Sequence, residues 1–197
     1  KIRLDALEKS GRAKVVAVFD PNPIENLKGE INIVSSAELV LDQVIDAVFI
    51  CTPNNFIKPF TLLALEKGIH VFAEKPPGIN LEETLEMQNK EEQIKDKVLM
   101  FGFNHRHHGS VAKMKEIIQK GTLGKVLWMR GRYGKEVDED YLKDWRVNPN
   151  QSGGGIMLDQ GIHMLDLFLY LGGDFDEVKA FVSNLYWKIP GIEDNVF

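Results

Sequence analysis

Cysteine is nearly absent from this chain. Cys51 is the single one in 197 residues, so neither an internal disulfide nor a cysteine-built zinc site is available. A lone cysteine fits a reducing compartment, and a cytoplasmic location is the expectation. Positive charge is not in excess either: Lys and Arg total 24 against 29 Asp and Glu, a formal net charge of -5. That balance gives no electrostatic reason to expect a nucleic acid or a membrane surface as partner. No apolar run approaches the roughly 20 residues that a bilayer span needs, and no signal-peptide pattern opens the chain. No HExxH pattern occurs, and neighbouring histidines on a regular element point in different directions. His105, His107 and His108 therefore read as a polar rim or anion-contacting segment, and no bound metal is expected.

What is present is ordinary globular material, 44% hydrophobic and 27% charged, enough for one large domain or two small ones. Short apolar runs at 14–19 (KVVAVF), 46–51 (DAVFIC), 69–74 (IHVFAE) and 98–103 (VLMFGF) read as buried strands, with a weaker one at 32–34. Helical segments are expected near 36–41, 58–66 and 81–95. Alternation of this kind argues for a parallel sheet covered on both faces, whose ligands bind beyond the carboxyl ends of the strands. Asp20, Thr52, Lys75 and Asn104 each follow a strand end, so one crevice could collect all four. The competing readings are a turn former for Asp20, a cap for Thr52 and a solvated strand end for Lys75.

After Asn104 the pattern changes. A helix is expected through Lys120, two alternating segments at 126–132 and 177–187 read as strands of a wetter sheet, and a helix closes near Gly172. A boundary near residue 105 follows, with one domain over 1–104 and a second, incomplete one over 105–197. The start, KIRLDALEKSG, reads as the second half of a helix and the finish, DNVF, as the inside of a strand, so an internal portion of a longer protein is expected.

The chemistry is concentrated at 153–166, GGGIMLDQGIHMLD, where three glycines lead into an apolar run carrying Asp159, His163 and Asp166. Glycine allows close approach of a ligand, and ionisable groups on an apolar element need partners. On a helix, Asp159 and His163 would share a face and Asp166 would follow one turn later, placing a carboxylate beside an imidazole. The alternatives are a satisfied core histidine for His163 and a helix N-cap for Asp159.

Asp20 after VVAVF, CTPN at 51–54, AEKP at 73–76, GFNHR at 102–106, GTLGKV at 121–126, DWR at 144–146 and the glycine stretch occur together in one order. In these pieces the chain resembles the glucose-fructose oxidoreductase and inositol dehydrogenase family of nicotinamide-dependent oxidoreductases. The resemblance implies an α/β protein with a dinucleotide-binding parallel-sheet domain, followed by an α/β domain with a large, mostly antiparallel sheet used for oligomer contacts, a homodimer or homotetramer. The family's Gly-rich loop would precede Lys1, and Ile57 stands where many relatives carry histidine.

The same resemblance implies a catalytic set of Lys75, Asp159 and His163. It implies cofactor contacts from Asp20, Thr52, Pro53, Asn54, Glu74, Lys75 and Asn104, and substrate contacts from Trp145 and Arg146 as well as the catalytic set. A carboxylate at Asp20 accepts ribose hydroxyls and repels an added phosphate, which favours NAD over NADP. The implied substrate is a sugar or nucleotide-sugar derivative, with surface-polysaccharide biosynthesis as one setting. Arg130, Arg132 and Arg146 could offset an anionic sugar or sit in solvated ion pairs. Two other outcomes remain open: a relative that retains its cofactor through isomerisation, elimination or glycoside hydrolysis, and a non-catalytic dinucleotide-binding scaffold.

Overall fold

The computed structural model describes residues 2–24 and 30–197. Helix α1 (Ile2–Ser10) leads to a two-residue strand, β1 (Ala17–Val18), paired in parallel with β2 (Asn32–Ile33). The run at 14–19 was expected to be a buried strand, but its residues are exposed or half-buried, and only two of them join a ladder. Helix α2 (Ala37–Leu41) starts where Ser36 accepts a bond from the Leu39 amide.

The main sheet holds β3 (Ala47–Ile50), β4 (His70–Ala73) and β5 (Leu99–Phe101), all parallel, in that spatial order. Helix α3 (Ile57–Glu66) joins β3 to β4, and α4 (Leu81–Gln93) joins β4 to β5. Ile57, Thr61, Ala64 and Leu65 of α3 fall on one face at helical spacing and are buried. They meet Leu41, Ile50, Val71, Ala73 and Met87 in the core, which is why these short apolar runs are fixed as strands. Asn80 caps α4 by accepting from the Glu83 amide at 2.9 Å.

The register then aligns the strand ends. Ile50 lies opposite Ala73, and Ala73 opposite Phe101. The Glu74 amide donates to the Ile50 carbonyl at 2.9 Å and the Gly102 amide to the Ala73 carbonyl at 2.8 Å, so the ladder continues one residue further. Residues 51–54, 74–77 and 102–104 therefore leave the sheet side by side. The Lys75–Pro76 peptide bond is cis.

Beyond the sheet lie α5 (Gly109–Gln119), the one-turn α6 (Pro149–Ser152), a π turn at Met157–Gly161 and α7 (Ile162–Gly172). A small antiparallel sheet pairs β6 (Val182–Ser183) with β7 (Asn195–Val196). Among the described residues the antiparallel sheet has only these two strands, so in this chain it is small where the resemblance implied a large one. The segment 126–132, expected as a strand, runs without a ladder, and most of 177–187 does likewise. Alternation marks a segment that fits a sheet face, but a strand needs a backbone partner. Leu127, Trp128, Val178 and Phe181 are correspondingly exposed.

One tight turn matters for the site. The Asp194 carboxylate accepts the amides of Leu185, Tyr186 and Trp187 at 2.9, 2.6 and 2.8 Å. Burial works against the charge, yet these amides hold its pKa down at about 2. The anchored turn fixes the neighbouring Glu193 beneath the glycine stretch.

Candidate active site

Two of the three glycines, Gly153 and Gly155, are crowded by backbone of the chain itself. Gly153 ends α6 with φ +81, and a Cβ there would lie 2.4 Å from the Ile79 carbonyl oxygen. A Cβ on Gly155 would lie 2.0 Å from the Glu193 carbonyl oxygen. Backbone from two distant segments occupies the space that side chains would take, where a ligand's approach was expected. Glu193 then serves the start of the following helical segment. Its carboxylate accepts the Gly155 and Met157 amides at 2.7 and 2.9 Å, and its carbonyl accepts the Ile156 amide at 2.9 Å. Amide donors at a helix start otherwise lack partners, and a carboxylate there also meets the favourable end of the helix dipole.

Asp159 sits in the π turn, not at an N-cap and not on a regular helix. The wider turn breaks the simple four-residue spacing to His163. Its carboxylate faces Lys75 instead: the ammonium lies 3.1 Å from Oδ1 and also donates to the Asp159 carbonyl. Gln160 Nε2 and the Tyr141 hydroxyl donate to Oδ2 at 2.8 and 3.1 Å. Lys135 Nζ and Arg146 Nε stand further off, each at 3.7 Å. Burial pushes this carboxyl upward, but Lys75 and the hydrogen bonds hold its pKa below the usual range. For Tyr141, burial and the Asp159 charge raise the phenol well above its ordinary value, so it stays a donor.

A cavity of about 270 Å³ opens at this point, lined by residues 51–54, Glu74, Lys75, Trp145, Arg146 and Asp159. Thr52, Pro53, Asn54, Glu74, Trp145 and Arg146 thus gather around Lys75 and Asp159, as expected of the set. Trp145 packs under the Arg146 guanidinium, 4.6 Å from ring to carbon, and lines the cavity. The Thr52 hydroxyl is buried and has no hydrogen-bond partner among the described residues. Asn54 is buried, and its amide donates to the Ser152 carbonyl at 2.8 Å, tying the strand end to the glycine segment. Glu74 is engaged by Arg3 Nε at 2.7 Å.

Asp20 and Asn104 do not line this cavity. Both are exposed at the ends of their strands. Asp20 is at least a turn former, because Oδ1 accepts the Asn22 amide at 2.9 Å and its side-chain nitrogen at 3.1 Å. Among the described residues Oδ2 meets no hydrogen-bond donor. One crevice therefore collects two of the four strand-end residues.

His163, expected in the same set, is not among the residues lining the cavity; it is buried, 6% exposed, on α7, and its Nδ1 has no partner among the described residues. A satisfied core histidine would have one. Asp166, expected beside it, turns instead to Arg106, whose guanidinium grips the carboxylate through both Oδ1 and Oδ2. A buried carboxylate on this helix needs a fork of donors more than it needs a neutral ring. His163 packs on His105, ring centroids 4.1 Å apart, so the histidine segment is more than a polar rim. His105 was named only as part of a polar or anion-contacting segment, and Tyr141, Lys135 and Glu193 carried no signal in the sequence, since loops have no periodicity to expose them.

The His163 ring is held neutral. Burial first, then His105 and Lys75, lower its pKa from 6.5 to about 4, against the pull of Asp166 and Asp159. As pH falls, the unfolded chain takes up the proton first. Stability contributed by the neutral ring is complete above pH 6.5 and drains away between 6.5 and about 4, at up to roughly 1.4 kcal/mol per pH unit. Urea unfolding midpoints should fall across that window in the wild type and fall less steeply in His163→Gln. Equal slopes in the two proteins would mean that the ring titrates as it does in water.

Comparison with known proteins gives the family. Residues 3–103 match the oxidoreductase family with an NAD-binding Rossmann fold, and residues 111–197 match the GFO/IDH/MocA C-terminal domain. The chain belongs to the GFO/IDH/MocA family. Among similar members, the D-glucoside 3-dehydrogenase of Escherichia coli is 36% identical over 146 residues, 73% of this chain and 40% of that protein. A levoglucosan dehydrogenase solved with NADH and levoglucosan superposes with a TM-score of 0.73 at 32% identity, over 82% of this chain and 43% of that one. The WlbA dehydrogenase of Bordetella pertussis, solved with NADH and UDP-GlcNAcA, reaches a TM-score of 0.81 at 25% identity, over 98% of this chain and 57% of that one. The chain thus spans about half the length of the GFO/IDH/MocA members it matches. Among the described residues no helix is long and apolar enough to cross a membrane, and no group of three or more His, Cys, Asp or Glu could hold a metal ion.

Proposed function

We propose that the protein is an NAD-dependent oxidoreductase that moves a hydride between the nicotinamide and a secondary alcohol or ketone of a sugar or nucleotide-sugar derivative. The observation that carries this reading is the convergence of Lys75 from a strand end and Asp159 from the π turn on one cavity, where the Thr52 hydroxyl has no partner among the described residues. The polar strand-end loop and the open Oδ2 of Asp20 fit a dinucleotide: Thr52 to Asn54 border its path, and Asp20 accepts a ribose hydroxyl. The nicotinamide, when bound, supplies the two-electron chemistry.

The protein's own groups handle charge and protons. Lys75 donates to the substrate oxygen and stabilises negative charge as it develops. Asp159 holds that ammonium in place through its carboxylate and carbonyl. This assigns it to Lys75, whereas the spacing had suggested His163 as its partner. His163, neutral above about pH 4, accepts the hydroxyl proton in oxidation and returns it in reduction. Trp145 and Arg146 border the sugar, and the chain divides into a dinucleotide-binding domain over 1–104 and a substrate domain over 105–197. Assembly as a homodimer or homotetramer in the cytoplasm belongs to the same reading.

The test mixes full-length protein with NAD or NADP and pooled sugars and nucleotide sugars, followed by absorbance and product mass. Net NADH formation with a product two mass units lighter supports the proposal. A product without net nicotinamide change points to a retained-cofactor isomerase, lyase or glycosidase, and cofactor binding with no product to a scaffold. In the same protein, Asp20→Ser should narrow the preference for NADH over NADPH at least about tenfold in fluorescence-titrated Kd, because the carboxylate's repulsion of the extra phosphate is gone. An unchanged ratio would remove Asp20 from cofactor selection.

A further inference from the structure

His105 is unused by the mechanism above, yet it is the ring most tightly packed on the proposed base. The two imidazoles lie 4.1 Å apart at 56°. Both Nδ1 atoms are buried without partners among the described residues. His105 arrives on the 3₁₀ turn at Asn104–His107, just past the end of β5, and His163 on α7. The two elements are fixed to each other by the Arg106–Asp166 ion pair between them.

We propose that His105 and His163 form a two-imidazole unit that carries at most one proton, with His105 as the positioning residue that keeps His163 ready to accept one. The proposal rests on His163 being the proton acceptor only for its catalytic meaning; the shared proton is a property of the protein alone.

The surroundings decide whether two charges could coexist. Facing the pair from beyond β4 is the Lys75 ammonium, which disfavours any added positive charge. The carboxylates within reach are already engaged, Asp159 by Lys75 and Asp166 by Arg106. Tyr133 lies against both rings, its centroid 5.6 Å from His105 and 6.2 Å from His163. His108 touches His105 at 5.1 Å and is exposed, giving the unit a third imidazole at the solvent side. Phe103 closes the other edge of His163. Burial lowers both pKa values, helped at His163 by the neighbouring His105 and Lys75 and at His105 by His108 and Lys75.

The test is a ¹H–¹⁵N imidazole NMR titration of the full-length protein without substrate, comparing wild type, His105→Asn and His105→Lys. In the wild type the two rings should titrate in coupled, non-ideal steps. His105→Asn removes the repelling ring and should raise the His163 midpoint by about one pH unit or more. His105→Lys makes the charge permanent and should lower that midpoint below the wild-type value. Shifts in opposite directions support the unit, since a purely structural role would not reverse sign with charge. A His163 midpoint unmoved in both variants, or moved the same way in both, overturns it. Because no turnover is measured, this result stands apart from the fate of the dehydrogenase reading.

Discussion

Lys75→Met in the full-length protein should lower kcat about 10²–10³-fold while leaving NADH binding within a few-fold of wild type. The size follows from what one pre-aimed donor contributes when negative charge builds on oxygen in a site shielded from water. The side chain is well placed for that work. It is largely buried, and its ammonium is fixed by the Asp159 carboxylate at 3.1 Å and by the same residue's carbonyl. Methionine keeps much of the bulk and removes the charge. Asp159 would keep Lys135, Arg146, Gln160 and Tyr141 around it, so the fold should survive with a cost of about 1–3 kcal/mol. The informative split is kcat against cofactor Kd. A variant with normal kcat would take Lys75 out of the chemistry, and one that loses kcat and NADH binding together would make it a cofactor anchor.

Gly155→Ala should cost at least about 3 kcal/mol of folding stability. The new carbon would sit 2.0 Å from the Glu193 carbonyl oxygen and 2.5 Å from its nitrogen, so backbone must move. That movement would also pull the Glu193 carboxylate from the two amides it caps and disturb the π turn that carries Asp159. Gly154→Ala is the control. Its Cβ would meet the Leu158 Cβ at 3.6 Å, ordinary contact, and its stability should stay within about 0.5 kcal/mol of wild type. Urea melts of the two variants measure the contrast directly. Equal midpoints would show that the Glu193 turn yields easily and that the glycine run is not set by backbone crowding.

Much of the first half was legible because its signals are local. Runs such as DAVFIC and IHVFAE can be buried in only a few ways, and the helical spacing of Ile57, Thr61, Ala64 and Leu65 follows from one face needing cover. Lys75 and Asp159 were named from motif residues, and the fold brings them into contact. Asp20 and Asn104 were placed in the same crevice by their strand-end positions, but sequence position does not say how far apart strand ends lie across a sheet. The alternating segment at 126–132 shows another limit: a strand pattern states a preference for pairing and cannot supply the partner. The Asp159–His163 spacing misled for a different reason, since a π turn changes which residues share a face.

The chain order of apolar runs and turns thus determined by itself the parallel α/β half, because that follows from periodicity and residue type, while the motif residues carried the resemblance to the family and named the candidate site residues. Tertiary structure decided the pairings. It gave Asp159 to Lys75, Asp166 to Arg106, and His163 to the ring of His105. It also filled the space above Gly153 and Gly155 with the backbone of Ile79 and Glu193. Which charge meets which depends on elements separated by tens of residues and on the competition among buried groups for a limited set of donors, a contest settled only when those elements pack.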